Sequence, residues 1–445
     1  MSVRNPILLQ LVISVTLATL LQATEKPNIV IIFTDDQGYG DLACYGNKKT
    51  KTPRLDQLAR EGTRFTSFYS QTVCGPSRSA LLTGRQPLRS KGWGMPASEI
   101  TWAELIRKVG YQTACIGKWD VSNRKAIIER MPNAQGFDYY FGPLGANDGG
   151  VVKFHENNKP VGTSRDMGEL TTLYTEKSIA WLKEKRDPEK PFVLYLAHTM
   201  MHTIIDASNR FRGKSEGGLY GDVVEEFDFE TGRLFDVLDE LGVSKNTLVI
   251  YTSDNGPWNQ EKYTKNKKGH PKDSIFWGDS GPLRNGKGSC YEGGYRLPCI
   301  VRWPGKVPAG QESAAIFASV DFMPTFAKLC GFEIPNDRRI DGIDQTDLLL
   351  GKRKTGRDYF YFDNAGVRRG KWKYLKANAH FYGYALEDDR AKVEELYDLE
   401  ADLGEQNNLA EKFPAKVSEL KVLMKFIERQ SSGISPRIPN QRSKK

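Results

Sequence analysis

Histidine is scarce in this chain, and cysteine does not occur at metal-binding spacings. The 445 residues include five histidines and six cysteines, with no Cys-x-x-Cys pair. A structural zinc site is therefore not expected. The spacing of the cysteines also gives no disulfide framework. Internal repeats are absent from the sequence, which excludes solenoids and other repeat arrays.

The overall charge balance is only mildly basic. Charged residues make up 27% of the chain and hydrophobic residues 39%, which is typical of a soluble globular protein. The net charge of +9 would suit a polyanionic partner, but part of it lies in the terminal stretch "SPRIPNQRSKK". The sequence contains no nucleic-acid-binding motif, so we expect no nucleic-acid partner.

The N-terminus has the pattern of a secretory signal peptide. Arg4 precedes an apolar stretch from Ile7 to Leu21, and Gln22-Ala23 leads into polar sequence. This pattern predicts a signal peptide over residues 1–23 and a mature chain that begins near Thr24. An uncleaved membrane anchor is the alternative, for which the stretch is short. We expect an exported protein, periplasmic or extracellular, without stable membrane insertion after cleavage.

Buried-strand patterns alternate with helix patterns along the first two thirds of the chain. Such alternation predicts a large, mostly parallel sheet with helices on both faces. The segments that carry it are a strand from Asn28 to Thr34, a helix with Thr52 as N-cap and Gly62 as its stop, a helix with a Thr101–Glu104 capping box, a strand ending near Lys118, the strand "PFVLYLA", a helix within Asp222 to Leu241 and the strand "TLVIYTS".

Polar side chains follow four of these strands at the point where each strand ends. In an open sheet of this kind, ligands bind outside the carboxyl ends of the strands. The sequence therefore predicts one reactive edge built from Asp35, Asp36, Lys118, Asp120, His198, His202, Asp254 and Asn255.

The character of the sequence changes after about Asp341. Alternating aromatic residues follow, and a helix pattern runs from Pro414 to Arg429. This pattern predicts a smaller antiparallel sheet with a C-terminal helix packed on it. We expect a catalytic domain over residues 24–354 and a C-terminal subdomain with a basic tail over residues 355–445.

Two polar pairs, Asp35-Asp36 and Asp254-Asn255, each follow a strand of the same type. Three carboxylates and one amide at one point would repel each other unless a cation lay among them. Oxygen ligands select a hard ion, Ca²⁺ or Mg²⁺. Each pair taken singly is also compatible with a turn or a helix N-cap.

The stretch "VCGPSRSALLTGR" places Cys74 at the start of a short predicted helix, with Arg78 one turn further along. A helix N-terminus favours negative charge and lowers the pKa of a thiol. Cys74 is therefore a nucleophile, the precursor of one, or a packed small hydrophobic residue.

The stretch "CGPSRSALLTG" resembles the signature of the type I, formylglycine-dependent sulfatases, the arylsulfatase-like branch of the alkaline phosphatase superfamily. The resemblance implies the alkaline phosphatase-like fold and sulfate ester hydrolysis. It extends over most of the chain through "NIVIIFTDDQGYGD", "GKW", "LAHTMMH", "SDNG", "GKGSCYEGGYRLPCIVRWPG" and "ELYDLEADLGEQNNLA".

The resemblance also implies a modified nucleophile. In the family, a separate formylglycine-generating enzyme oxidises the motif cysteine to Cα-formylglycine, also called 3-oxoalanine, which hydrates to a diol. One hydroxyl attacks sulfur and the other later expels sulfate. The implied metal ligands are Asp35, Asp36, Cys74, Asp254 and Asn255. The implied catalytic residues are Cys74, Arg78, Lys118, Asp120, His202 and Lys287. Sulfate or substrate contacts fall to Lys118, His202 and Lys287, whereas His198 is structural or contacts the substrate.

The chain departs from the family pattern at Asp120. Many relatives have a histidine there, which helps the diol lose a proton during sulfate release. A carboxylate can accept that proton with a different pKa. Slower release, another base, a degraded enzyme and a plain substitution in a turn are the alternatives.

The segment between Asn255 and Lys287 is rich in lysine. Its residues Lys262, Lys265, Lys267, Lys268, His270 and Lys272 form a solvated loop or bind further sulfates of a polymer. Trp93, Trp258, Tyr263 and Trp277 are candidates for stacking on sugar rings. We expect a sulfated polysaccharide or oligosaccharide substrate. A phosphatase or phosphodiesterase of the same superfamily, and a non-catalytic glycan-binding relative, are the alternatives.

Overall fold

A computed structural model describes residues 26–258, 277–379 and 391–432. The predicted signal peptide, the lysine-rich loop with Tyr263, and the basic tail lie outside these residues. Within the described part of the chain, no helix has both the length and the apolar character needed to cross a membrane.

A large mixed sheet forms the centre of the molecule. Its described strands are β1 Asn28–Thr34, β2 Thr63–Tyr69, β3 Gln112–Gly117, β4 Tyr139–Pro143, β5 Val152–Glu156, β6 Lys159–Ser164, β7 Phe192–Ala197, β8 Thr247–Ser253, β9 Arg296–Arg302, β10 Gln311–Ser313 and β11 Phe317–Ala318.

The strand order is β10-β2-β9-β8-β1-β7-β3-β4-β5-β6, with β11 paired to β2. The five central strands from β8 to β4 run parallel, as the sequence predicts. Both flanks contain antiparallel pairs, including β8 with β9 and the β5–β6 hairpin. The sequence analysis did not predict this hairpin, whose two-residue Asn157-Asn158 turn lacks the glycine of the common hairpin signals.

Helices cover both faces of the large sheet. The described helices are α1 Pro53–Glu61, α2 Cys74–Thr83, α3 Pro87–Ser90, α4 Trp102–Lys108, α5 Leu170–Ala180, α6 Gly218–Glu240, α7 Glu292–Tyr295, α8 Phe322–Cys330, α9 Thr346–Leu349 and α10 Pro414–Ser432. A π-helical turn, Trp181–Lys185, extends α5, and short 3₁₀ turns span Ala43–Tyr45, Ile128–Arg130, Pro132–Gln135, Met167–Glu169, Ser244–Asn246 and Ser319–Asp321.

The core lies on both faces because successive residues of β1 point in opposite directions. Ile29, Ile31 and Phe33 pack in one buried cluster with α2, α4 and α8. Val30 and Ile32 pack in the other with α1, α5 and α6. A strand buried on both sides needs the continuous apolar run that "NIVIIFT" supplies.

The helix-end predictions are confirmed, with two differences. The Thr101–Glu104 capping box of α4 is present. Thr52 occupies the N-cap position of α1, but Asp228 of α6 accepts the first backbone hydrogen bonds, from Arg54 N at 3.1 Å and Leu55 N at 2.8 Å. The α6 helix begins at Gly218, four residues before the predicted range, because its first turn contains two glycines that weaken the helix pattern.

The predicted C-terminal layer is also observed. Four antiparallel strands, β12 Tyr359–Tyr361, β13 Gly366–Arg369, β14 Trp372–Leu375 and β15 Glu395–Asp398, form the second sheet. One face packs on α10 through Val367 and Leu420. The other packs on the large domain, where Phe360 stacks on Tyr69 with ring centroids 4.6 Å apart. The division between residues 354 and 355 stays a prediction.

A buried ion network joins the two sheets. Lys373 of β14 donates to Glu292 Oε1 at 3.0 Å and lies 2.8 Å from Glu405 Oε1, and all three side chains are fully buried. Glu405 also accepts a hydrogen bond from the Glu292 backbone N–H at 2.7 Å. Because Glu292 begins the α7 turn, five residues after Lys287, this network anchors the loop that carries Lys287.

Replacement of Lys373 by methionine should destabilise the protein strongly. It removes the cation beside Glu405, whereas Glu292 keeps Arg296 at 3.4 Å, and loss of one partner of a buried ion pair typically costs about 3–5 kcal/mol of unfolding free energy. Urea-induced unfolding measures the loss. Lys371→Met is the matched control, because Lys371 lies two residues away with its side chain 41% exposed and pairs with Asp398 on the surface. Equal losses in the two variants would contradict a structural role for the buried network.

Candidate active site

Cys74 is the first residue of α2, as the sequence predicts. The preceding residue, Val73, has an extended backbone, and within the described chain no side chain caps the helix. Gly75 must be a glycine, because a Cβ atom there would lie 2.3 Å from the Trp93 ring. Arg78 lies one helical turn further along, with its side chain fully buried.

The Cys74 thiol is enclosed by charged groups. Its Sγ atom lies 3.2 Å from Asp35 Oδ1, and Lys287 Nζ donates to it at 3.3 Å. Burial, followed by the Asp254 and Asp35 charges, raises the pKa of this thiol well above its usual range. The proposed lowering of the thiol pKa by the helix N-terminus is therefore wrong for this site. The surroundings of Cys74 favour the protonated thiol.

Two neighbouring parallel strands bring the acidic pairs together. Thr34 of β1 is level with Ser253 of β8, so the residues that follow each strand meet at one edge. Asp36 has a left-handed backbone, with φ of 59°, a conformation that is costly for a residue with a side chain. Its backbone N–H donates to Asp254 Oδ1 at 3.1 Å, and Asn255 Nδ2 donates to Asp36 Oδ1 at 2.7 Å.

These residues and Cys74 form a compact set of potential metal ligands. Ligand atoms of Asp35, Asp36, Cys74 and Asp254 lie within 4.8 Å of one another. Two further buried oxygens, Asp36 Oδ2 and Asn255 Oδ1, have no hydrogen-bond partner among the described residues. A buried oxygen without a donor is costly, and a hard cation would satisfy it. The residues therefore fit an oxygen-ligated Ca²⁺ or Mg²⁺.

Three buried cations balance the three carboxylates. Lys118 Nζ lies 2.6 Å from Asp35 Oδ2, Lys287 Nζ lies 2.6 Å from Asp36 Oδ1, and Arg78 Nη2 lies 2.9 Å from Asp254 Oδ2. The sequence argument that the carboxylates require a metal to prevent repulsion is thus incomplete, because lysine and arginine side chains already compensate them.

The pKa values reflect this balance unevenly. Burial acts to raise the pKa of Asp35, but the charges around it, Lys118 foremost, hold it well below its usual range. Burial and the nearby Asp35 charge raise the pKa of Asp254 to about 7. Of these two carboxylates, Asp35 is therefore the more stable as an anion.

His202 faces the acidic cluster through one ring nitrogen. Its Nδ1 lies 2.6 Å from the Thr203 carbonyl oxygen, so Nδ1 carries the proton that donates to it. Its Nε2 lies 3.7 Å from Asp36 Oδ2 and 3.6 Å from Asp148 Oδ1. Burial and the Lys287 charge lower the pKa of His202.

His198 lies behind the cluster rather than in it. Its Nδ1 accepts a hydrogen bond from the Met200 backbone N–H at 2.9 Å, and its ring packs between Tyr174 and Phe227. Burial lowers its pKa to about 3, so it is neutral. The structural alternative for His198 fits this packing. The substrate contact does not fit, because the side chain is enclosed by aromatic rings.

Asp120 is fully buried beside Lys118, whose Nζ lies 3.5 Å away. Its two oxygens accept hydrogen bonds from Arg124 Nε at 2.8 Å and Trp93 Nε1 at 3.0 Å. In the described chain, no hydrogen bond joins Asp120 to Cys74. The Trp93 indole, considered above as a sugar platform, donates its hydrogen bond to Asp120 through its N–H and so holds Asp120 in place.

The sequence analysis missed two charged residues at the opening of the site. Asp148 follows β4 in the glycine-rich loop "GANDGG" and reaches His202, and Arg124 reaches Asp148. Both signals were present in the sequence. Asp148 is another polar residue after a strand, and Arg124 lies four residues after Asp120.

Comparison with known proteins shows to which family this chain belongs. Residues 27–332 match the profile of the Sulfatase family, and residues 286–430 match that of the N-sulphoglucosamine sulphohydrolase C-terminal region. The chain belongs to the sulfatase family.

This sulfatase has named relatives that align with most of its length. It is 34% identical to the N-acetylgalactosamine-6-sulfatase of Canis lupus familiaris, over 81% of this chain and 72% of that protein. It is 32% identical to the N-acetylgalactosamine-6-O-sulfatase of Bacteroides thetaiotaomicron, over 92% of this chain and 94% of that protein. The protein is accordingly an enzyme, a sulfuric ester hydrolase.

Solved structures share the fold. The PsFucS1 sulfatase from Pseudoalteromonas sp. has a TM-score of 0.76 and 26% identity, covering 92% of each chain. A structure from work on glycosaminoglycan metabolism by Bacteroides thetaiotaomicron has a TM-score of 0.80 and 29% identity, covering 91% of this chain and 100% of that one. A phosphonate monoester hydrolase from Silicibacter pomeroyi has a TM-score of 0.66 at 18% identity, a likeness of fold alone.

Cys74 of the unmodified sulfatase should resist thiol reagents, because its side chain is 2% exposed and its thiol is protonated. Iodoacetamide labelling of protein made without a maturation enzyme, followed by peptide mass spectrometry, measures this. We expect labelling of Cys74 only after unfolding, as for the fully buried Cys115. Rapid labelling of Cys74 in the native protein would contradict this prediction and would indicate an accessible, ionised thiol.

Proposed function

We propose that this sulfatase removes sulfate from a sulfated carbohydrate by using a formylglycine made from Cys74 and a Ca²⁺ bound beside it, with Mg²⁺ as the alternative ion. The observation that carries the proposal is the arrangement around Cys74 Sγ. Carboxylate oxygens that suit a hard cation and ammonium groups that suit an anion both lie close to this atom, with Asp35 Oδ1 at 3.2 Å and Lys287 Nζ at 3.3 Å.

The proposed ligands of the ion are Asp35, Asp36, Asp254, Asn255 and the modified residue 74. When bound, the ion would supply positive charge to a sulfate oxygen. The oxygens Asp36 Oδ2 and Asn255 Oδ1 support this assignment, because both are buried and lack a hydrogen-bond donor among the described residues.

Conversion of Cys74 would replace an inert, protonated thiol with an aldehyde hydrate, which supplies a hydroxyl nucleophile. Arg78 holds this position in place through the shared carboxylate of Asp254, to which its Nε and Nη2 donate at 3.2 and 2.9 Å. A fixed guanidinium at this distance keeps the helix start and the β8 edge in register. The formylglycine-generating enzyme is the partner that this step requires.

The charge balance favours a bound sulfate ester. With Asp120, Arg124 and Asp148 included, five carboxylates and four cations sum to −1, so a divalent ion would leave an excess of one positive charge. A sulfate monoester carries one negative charge and would reduce that excess. We assign Lys118 and Lys287 to the sulfate oxygens. Their ammonium groups contact Asp35 and Asp36, the two carboxylates next to Cys74.

His202 is the proposed acid for the leaving oxygen. The Thr203 carbonyl fixes its Nδ1 proton, so Nε2 is the atom that gains and donates the catalytic proton. Burial and Lys287 lower the pKa of the free enzyme's imidazole. A bound sulfate places negative charge near Nε2 and acts in the opposite direction, which would protonate His202 when substrate is present.

A sulfated carbohydrate is the proposed substrate class because two relatives that align with most of this chain are named N-acetylgalactosamine-6-sulfatase and N-acetylgalactosamine-6-O-sulfatase. We further propose that the enzyme is exported, on the basis of the N-terminal sequence pattern. Export would bring it into contact with polysaccharides outside the cytoplasm.

Mass spectrometry of the peptide containing residue 74, from a host with the maturation enzyme, should show formylglycine. That protein should release sulfate, whereas protein from a host without the maturation enzyme should fold but be nearly inactive. Cys74→Ala should lose at least about a thousandfold in kcat/KM, because it removes the nucleophile. Full turnover by Cys74→Ala would overturn the mechanism. Formylglycine without any sulfate release would instead favour a glycan-binding relative.

Saturating Ca²⁺ should raise the melting temperature of chelator-treated enzyme. A ligand at a hundredfold excess over its Kd stabilises a protein by about 2.7 kcal/mol. Asn255→Ala removes one oxygen ligand without changing the charge, and it should reduce this rise. Asn246→Ala is the matched control, because Asn246 precedes β8 at the opposite end and bonds to the Lys26 carbonyl. A rise that is equal in both variants would contradict the assigned ligand set, and comparison with Mg²⁺ identifies the preferred ion.

A further inference from the structure

An arginine and an aspartate stand paired at the opening of the active site. Arg124 Nη1 donates to Asp148 Oδ2 at 2.6 Å, and the two side chains are 41% and 45% exposed. Arg124 Nε also donates to Asp120 Oδ1, which is fully buried. The buried carboxylate of Asp120 therefore fixes the position of the exposed Arg124–Asp148 pair.

The pair connects directly to the proposed acid. Asp148 Oδ1 lies 3.6 Å from His202 Nε2, and the same nitrogen lies 3.7 Å from Asp36 Oδ2. If His202 protonates the leaving oxygen, the sugar carbon that bears this oxygen must lie on the solvent side of Nε2. Among the described residues, the exposed Asp148 and Arg124 are charged groups placed to meet the sugar there.

We propose that Arg124 and Asp148 determine substrate specificity by binding the sugar hydroxyl nearest to the sulfate ester. The hydroxyl would donate to the Asp148 carboxylate and accept from the Arg124 guanidinium, so one group satisfies both side chains. This inference rests on the proposed function, because it takes the position of the leaving oxygen from His202.

The charges of the pair favour a neutral hydroxyl over a second anionic group. The guanidinium of Arg124 lies between the carboxylates of Asp120 and Asp148, so the three groups carry a net charge of −1. A carboxylate or another sulfate at this place would be repelled by this negative charge, whereas an uncharged hydroxyl group would not be. The site thus selects an uncharged substituent.

Asp120 acquires a role from this arrangement. One of its oxygens accepts from Arg124 and the other from Trp93, so both are occupied by donors that hold the carboxylate in place. Asp120 is therefore a positioning residue for Arg124. The resemblance implies a histidine beside the nucleophile at this position. This chain has instead a carboxylate, which accepts a hydrogen bond from Arg124 and so holds the proposed substrate-binding arginine.

The test compares three sulfate esters. N-acetylgalactosamine 6-sulfate and N-acetylglucosamine 6-sulfate differ only in the orientation of the 4-hydroxyl, the nearest hydroxyl to the ester, and 4-nitrophenyl sulfate has none. The wild-type enzyme should prefer one sugar epimer by at least about tenfold, since loss of a hydrogen bond to a charged group typically costs 10- to 100-fold. Asp148→Asn and Arg124→Lys should bring the two epimers within about threefold.

Both variants should also lose at least about tenfold more kcat/KM on the preferred sugar than on the aryl sulfate. Glu240→Gln is the matched control, because it removes one carboxylate charge from the surface pair with Lys183, whose Nζ lies 2.7 Å from Glu240 Oε2. It should keep the wild-type preference.

Three outcomes would overturn the inference. They are equal losses on the sugars and the aryl sulfate, retained epimer preference in both variants, and aryl sulfate turnover by a wild-type enzyme that hydrolyses neither sugar. Absence of turnover of all three esters by formylglycine-containing wild-type enzyme would instead contradict the proposed function. The two failures are thus distinguishable.

Discussion

Mutual compensation of buried charges at the carboxyl edge of the central strands is the constraint on which the site depends. Asp35 cannot remain ionised in a dry interior without a cation beside it, and Lys118 supplies that cation at 2.6 Å. Arg78 does the same for Asp254 and thereby ties the start of α2 to the end of β8. The helix that carries Cys74 is therefore positioned by electrostatics as well as by packing, and removal of any one partner would leave an unpaired charge in the core.

The second sheet extends this principle away from the reactive edge. Lys373 lies between Glu292 and Glu405, and Glu292 lies in the same loop as Lys287. Apolar contacts, such as the stacking of Phe360 on Tyr69, close the interface around that network. The C-terminal layer thus supports the loop that contains Lys287.

Much of the fold was predictable because local patterns and tertiary environment agree. The apolar run of β1, the Thr101–Glu104 capping box and the polar residues after each central strand are short-range signals with a direct physical cause. The sequence predicted less well those features that depend on contacts between residues distant in sequence. The capping of α1 by Asp228 joins residues more than 170 positions apart, and the pKa of Cys74 depends on burial among carboxylates from two other strands. A helix N-terminus alone therefore gave the wrong direction for that thiol.

The sequence by itself determined the class of reaction, sulfate ester hydrolysis, because the acidic pairs, the motif cysteine and the basic residues each lie in a recognisable local context. It also determined the strand ends that would bear them. Only the tertiary structure decided which groups face one another. It placed His198 among aromatic rings, paired Asp120 with Arg124 rather than with Cys74, and brought Asp148 to His202. The reason is that residue type and spacing specify the direction of a side chain along one element, whereas its partner and its solvation are set by elements that are distant in sequence.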